Sequence, residues 1–224
     1  MSEFIKNLEK NDLSTETCPV FSFPSLKPKK VFSETAKFCD KNIFIIKRNF
    51  LPLFGFPSYG VHCNIWKKHK DKFVIYFAKR SEKLKSFPGY IDNTVAGGQP
   101  TNLSIIGNLK KEAYEEAGIN SKYLAKIKRG NVVNYFHNNN NNFISAIIFN
   151  YHLYKVDELE LKNIDGEVQS FFSLTLENIY KLLEKNQLKP NCIIPILDFI
   201  LLNDYHFLSK GTIVEIKKIL RLNE

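Results

Sequence analysis

The sequence predicts a layered α/β sandwich, and three observations carry that expectation. Strand patterns dominate the middle of the chain, a strongly acidic helix falls between two of them, and helical patterns follow one another towards the C-terminus. Taken in order, residues 1–34 are polar and interrupted by Pro19, Pro24 and Pro28, which predicts an irregular arm. Lys72 to Arg80 (KFVIYFAKR) is β-branched and aromatic, as a central strand requires, and Phe87-Pro88-Gly89 then marks a turn. Thr94 to Gly98 is a short strand running into a glycine-rich loop. Ile106, Leu109, Ala113 and Ala117 give the following helix a buried side, and Gly118 supplies its stop. Gly107 costs that helix about 1 kcal/mol relative to alanine. It also stands three residues after Ser104, where a capping-box Glu would help, so the helix start is expected to be loose.

Phe143 to Tyr154 (FISAIIFNYHLY) is a second long strand, and the asparagine run before it, Asn138 to Asn142, reads as a low-complexity loop. Phe171 to Leu174 is a further short strand. Helices are expected at about 175–186, 192–203 and 211–222, with Pro195 tolerated in the first turn of the second. The chain therefore divides into an N-terminal extension (1–49), a main domain (50–208) and a C-terminal helix (209–224).

Composition narrows the classes of function. Hydrophobic residues make up 44% of the 224 residues, with 19 phenylalanines, which is ample for one large core. No run of about 18 apolar residues occurs, so no membrane span is expected. The start, MSEFIKNLEKND, lacks the apolar centre of a secretory signal, and a cytoplasmic protein is expected. Cys18, Cys39, Cys63 and Cys192 form no C-x-x-C pair, so reduced thiols are expected rather than zinc. The net charge of +9 is spread over the chain without an arginine-rich stripe. That argues against nucleic acid and suits a small phosphorylated substrate. A monomer or a homodimer is compatible with all of this.

The most informative stretch is Lys111-Glu112-Ala113-Tyr114-Glu115-Glu116, closed by Gly118. On a helix, Glu112, Glu115 and Glu116 share an arc of about 100°. Like charges at this spacing repel. A hard divalent cation, Mg²⁺ or Mn²⁺, would remove the repulsion, because such cations take oxygen ligands. The bland alternative is a solvated acidic face.

Gly97, Glu112, Ala113, Glu115, Glu116, Gly118 and Ile119 also fall on a fixed spacing that resembles the box of the Nudix hydrolases, with Lys111 at the arginine position. The chain departs at the first box glutamate, which is Leu103; in the family that residue buttresses the helix. Four flanking passages narrow the resemblance: FGFPSYGVHCN, RSEKLKSFPGYIDNTVAGG, NIDGEVQSF and LKPNCIIPILDF, spread between Phe50 and Tyr205. Together they resemble the thiamine pyrophosphokinase-related Nudix hydrolases. The resemblance implies a Nudix α/β/α sandwich with a mixed central sheet and a short N-terminal extension. It also implies removal of the terminal phosphate of thiamine diphosphate or of its oxidised and antivitamin forms.

On that resemblance, Glu112, Glu115 and Glu116 hold the metal. Glu115, Glu116 and a glutamate from a later loop, Glu167, carry the catalysis. As a bare sequence feature, Asp165-Gly166-Glu167 is equally a turn. Arg80 is the best phosphate clamp, since its planar fork matches two oxygens. Lys83, Lys85, Gly97, Gly98 and His62 complete the expected substrate contacts. Trp66 and Phe54 offer a stacking wall or core packing, and Lys189-Pro190-Asn191 a helix cap. Two rival enzyme readings are weighed. Isopentenyl diphosphate isomerase needs a thiol in the strand after Pro-Gly, where Asn93 to Gly98 has none. A Nudix hydrolase of another diphosphate keeps the same box. A degenerate binding module would explain Leu103 and Gly107, but not the intact glutamates.

Overall fold

In the computed structural model, the described residues are 16–21, 35, 42–70, 72–139, 142–203, 208–220 and 222, with the side chains of 137–143 excepted. Strand β3 (Ser58–His69) is the spine of the fold, because both of its faces are buried from Val61 to Ile65. Alternation sends Val61, Cys63 and Ile65 into the core beneath the acidic helix, α1 (Ile105–Ala117). His62, Asn64 and Trp66 point the other way, towards α4 (Ile193–Leu202) and the turn before it.

Around β3 the seven-stranded sheet runs β5 (Ile91–Asn93), β4 (Lys72–Arg80), β3, β8 (Asn142–Tyr154), β7 (Lys128–Asn139). β6 (Val95–Gly98) pairs with β3, and β9 (Val168–Thr175) pairs with β4. The β3–β8 pair is parallel and the others are antiparallel, so the sheet is mixed. A short helix α2 (Ser121–Leu124) follows α1. α3 (Leu176–Glu184), α4 and α5 (Lys210–Ile219) bury Ile179, Ile196, Phe199 and Ile216 in two further clusters on the far side of the sheet from α1. The predicted α/β/α sandwich is the observed architecture.

Outside it, β1 (Thr17–Val20) and β2 (Phe44–Lys47) form a separate antiparallel pair, with Cys18, Val20 and Leu51 as a small core. That pair corrects the expectation of an irregular arm where residues 17–20 are concerned; Pro24, Pro28 and Cys39 lie outside the described residues.

Three further expectations change. The asparagine run is not simply a loop, because β7–β8 pairing continues to Asn139 opposite Asn142; Asn140 and Asn141 lie outside the described residues. β3 and β7 carry too many polar residues on one face to read as central strands by pattern, yet the amides of Asn64 and Asn131 find partners on α4. The start of α1 is not loose. Ser104 caps it by accepting from the Gly107 N–H at 3.0 Å. A Cβ at position 107 would stand 2.9 Å from that hydroxyl, so the glycine leaves the cap room.

Candidate active site

One row of α1 residues reads along β6. Asn108, Glu112 and Glu116 are spaced four apart, so they stack on one helix face. Asn108 donates to the Gly98 carbonyl at 2.8 Å. A Cβ on Gly97 would lie 2.2 Å from Cδ of Glu112, so only glycine lets that carboxylate rest on the strand. Glu116 accepts from the Ala96 N–H at 2.8 Å. β6 pairs with no strand except β3, which leaves its other edge unpaired among the described strands.

Leu103 removes the glutamate expected to buttress this helix, and two amides hold the loop instead. Gln99 donates to the carbonyls of Pro100 and Leu103, while Asn108 holds Gly98. Gln99 Oε1 and Asn108 Oδ1 are buried with no hydrogen-bond partner in the described structure.

The three box carboxylates are short of positive charge. Lys111 alone bridges two of them, 3.3 Å from Glu112 and 2.6 Å from Glu115. Burial raises the Glu112 carboxyl above its ordinary range, and Lys111 draws it back only in part. Glu116 is 8% exposed, and burial pushes it up to about 8. The Ala96 N–H opposes that rise, while Asp92 and Glu112 add to it. Among the described residues, no three His, Cys, Asp or Glu side chains already converge as a metal cage. The donor set nevertheless fits a hard cation: an ammonium sits between two carboxylates, and a third is strained by its own charge.

Glu167 reaches the same place from the opposite side. Its loop is tied to the end of α1, since the N–H groups of Ile164 and Asp165 both donate to the Glu115 carbonyl at 3.1 Å. Asp165 caps the turn by accepting from Glu167 N–H at 2.9 Å, and Glu167 returns its carbonyl to Ser81 N–H at 2.8 Å. Glu116 and Glu167 then line one small cleft with Ala78, Arg80, Asp92, Asn93 and Val168.

Other expected contacts lie elsewhere. Arg80 borders the cleft, but its guanidinium already donates to Asp92 at 3.0 Å and to the carbonyls of Ser86 and Phe87. It staples a turn in which Phe87 (φ 50°) and Gly89 (φ 70°) are left-handed. Lys83 and Lys85 are exposed on that turn. The expectation that His62 meets substrate is corrected: it is 4% exposed, and both ring nitrogens are bonded in the interior. Burial lowers its pKa to about 4, so it is neutral at pH 7. Because Asn93 donates its amide to Asn64, its oxygen takes the His62 Nδ1–H. Trp66 packs between Phe73 and Phe199 as a core residue, whereas Phe54 is exposed and stacks on Phe56.

Asp92, which lines the cleft, escaped the sequence reading, as did its pairing with Lys189. Asp92 accepts from Arg80, from Lys189 at 2.7 Å and from the Cys192 thiol at 2.8 Å. Burial, the largest single influence, would raise its carboxyl, but the Lys189 ammonium together with the other groups around it, the Cys192 thiol among them, holds it at about 2. The Lys-Pro-Asn passage was the only signal for Lys189, and nothing local ties it to a residue 97 positions earlier.

Similar proteins of known family exist. Nudix hydrolase 20, chloroplastic, from Arabidopsis thaliana is 34% identical over 158 residues, covering 70% of this chain and 42% of that protein. Nudix hydrolase 24, chloroplastic, from the same plant is 32% identical, covering 70% of this chain and 43% of its own length. The chain thus spans less than half the length of these curated relatives. Among solved structures, DR0079 from Deinococcus radiodurans matches with a TM-score of 0.52 at 13% identity, over 79% of this chain and 94% of that one. That likeness is one of fold. No protein-family model matches the chain.

Proposed function

This chain belongs to the Nudix hydrolase family, and we propose that it is a metal-dependent diphosphatase acting on thiamine diphosphate or its oxidised and antivitamin derivatives. The observation that carries the hydrolase reading is the charge deficit on α1: Glu112 and Glu115 share the Lys111 ammonium, and burial raises Glu116 to about 8. Glu112, Glu115 and Glu116 would hold Mg²⁺ or Mn²⁺, with Lys111 giving way. When bound, the cation neutralises diphosphate oxygens and lowers the pKa of an attacking water.

The remaining work falls to the chain itself. Glu167, exposed at the cleft mouth and anchored by its own turn, stands where it can accept a proton from water. Gly97 lets the Glu112 carboxylate lie against the β6 backbone, where a side chain would displace it. The thiamine-type substrate is supported by the four flanking passages, one of which supplies Asp92 to the cleft wall and another the Lys189 that pairs with it. The cleft's carboxylates serve another nucleoside-type diphosphate equally well, so that is the alternative substrate reading.

Phosphate release from thiamine diphosphate and oxythiamine diphosphate, and phosphomonoester formation from ADP-ribose, NADH and coenzyme A (read as phosphate after added alkaline phosphatase), each with Mg²⁺ and with Mn²⁺, test both levels. Preference for the thiamine compounds is expected. Turnover only of a nucleotide would sink the substrate assignment, and turnover of none would sink the hydrolase.

A further inference from the structure

Arg48 stands at the other side of β6, the strand against which Glu112 and Glu116 of α1 rest. Gly97 and Gly98 are successive residues of β6, so their missing side chains point to opposite faces. Glu112 fills the space at Gly97, and the Arg48 guanidinium fills that at Gly98, where a Cβ would meet its nitrogens at 2.3 and 2.5 Å. Arg48 follows β2 directly, so the extension delivers it. Its Nη2 also lies 3.4 Å from the Gln99 carbonyl.

The partner of this arginine is an anion. Glu16, just before β1, accepts from Nη2 at 2.8 Å, and its other oxygen lies 2.6 Å from Nε, which is buried and makes no hydrogen bond among the described residues. A planar guanidinium with one prong so unsatisfied can take two oxygens of a phosphate. The pair is part-exposed, 27% for Arg48 and 38% for Glu16, so it is screened and readily exchanged. Glu16 also lies near enough to add to the upward push on the Glu112 carboxyl, which places the fork beside the metal-binding row.

We propose that Arg48 is a substrate-phosphate ligand supplied by the β1–β2 pair, and that Glu16 is a resident anion which the substrate's diphosphate displaces. A diphosphate lying beside Gly97 and Gly98 of β6 then has the box carboxylates with their cation on one face and Arg48 on the other. This rests on the diphosphate reading of the box and adds a ligand from outside it.

The test is binding of methylene diphosphonate, whose P–C–P link resists hydrolysis, measured by titration calorimetry with Mg²⁺ present. Melting temperatures of each variant are read alongside. Arg48→Gln is expected to weaken binding about 10- to 100-fold, and Arg48→Lys to recover only part of it. Glu16→Gln is expected to tighten binding, because the competitor is gone. A pair that merely fastens the extension predicts the reverse for Glu16→Gln: lower melting temperature with unchanged or weaker binding, and that result overturns the proposal. Should Arg48→Gln not fold, Glu16→Gln decides alone. Wild-type binding that depends on Arg48, without turnover of any diphosphate, would sink the hydrolase and leave this assignment standing. Absence of wild-type binding would overturn this assignment.

Discussion

Two acidic clusters meet at the cleft, and their charge balance is opposite. On α1, Glu112 and Glu115 share a single ammonium while Glu116 has only the Ala96 N–H among the described residues, whereas Asp92 alone receives Arg80, Lys189 and a thiol. Burial acts on both clusters in the same direction, yet Glu116 rises to about 8 while Asp92 falls to about 2. Neighbouring cations, rather than burial, decide the outcome. A carboxylate left short of positive charge is poised to take up a cation; one that is oversupplied is a structural anchor. On the proposed function, the difference separates the metal-binding carboxylates from the frame that holds them.

The sharpest way to break that contrast is Asp92→Asn, which strands two buried cations. A loss of about 3–5 kcal/mol in urea unfolding is expected, and a loss under about 1 kcal/mol would show that Asp92 anchors nothing.

Stability against pH should then have opposite slopes for the two clusters. The folded pKa of Glu116 lies above its ordinary 4.5, so its contribution is full below about 4.5 and is lost as pH rises through about 8. Asp92 is depressed below its ordinary 3.8, so its contribution is present above that value and lost as pH falls through about 2. In metal-free protein the Glu116 effect should be on the order of a few kcal/mol. Glu116→Gln should flatten the slope between pH 5 and 8 in unfolding titrations; an unchanged slope assigns it elsewhere.

In the metal-loaded protein, the same Glu116→Gln substitution should lower phosphate release about 100-fold or more while the protein stays folded. Gly97→Ala pushes a Cβ into Glu112 and should cost metal affinity about tenfold, read by Mn²⁺ titration. The smallest effect belongs to Lys111→Ala. Its ion pairs are part-exposed, so less than about 1 kcal/mol of stability is expected to go. Metal should bind more tightly once the ammonium no longer competes.

Much of the fold was legible because its signals are local. The strand from Lys72 to Arg80 matches residue for residue, since its apolar and aromatic run needs no partner to be recognised. β3 and β7 were missed because their buried polar side chains break the alternation. His62, Asn64 and Asn131 are satisfied only by residues from other strands and from α4. Gly107 looked like a defect, but it makes room for the Ser104 cap, a contact that a helix pattern does not show.

At the site the same division holds. Helical periodicity alone puts Glu112, Glu115 and Glu116 on one face, because their spacing is covalent. Arg80 had the right chemistry for a phosphate clamp, but its carboxylate and carbonyl partners follow it by six to twelve residues through an irregular turn.

The amino-acid sequence by itself determined the layered α/β class, the acidic helix and its family, since short-range spacing sets both periodicity and motif. Tertiary structure alone decided which charges are neutralised. Lys189 reaches Asp92 across 97 residues, Glu167 joins Glu116 through a loop fastened to α1, and Arg48 arrives from the β1–β2 pair. A carboxylate's proton affinity depends on what stands within a few ångströms of it, and only folding brings those groups together.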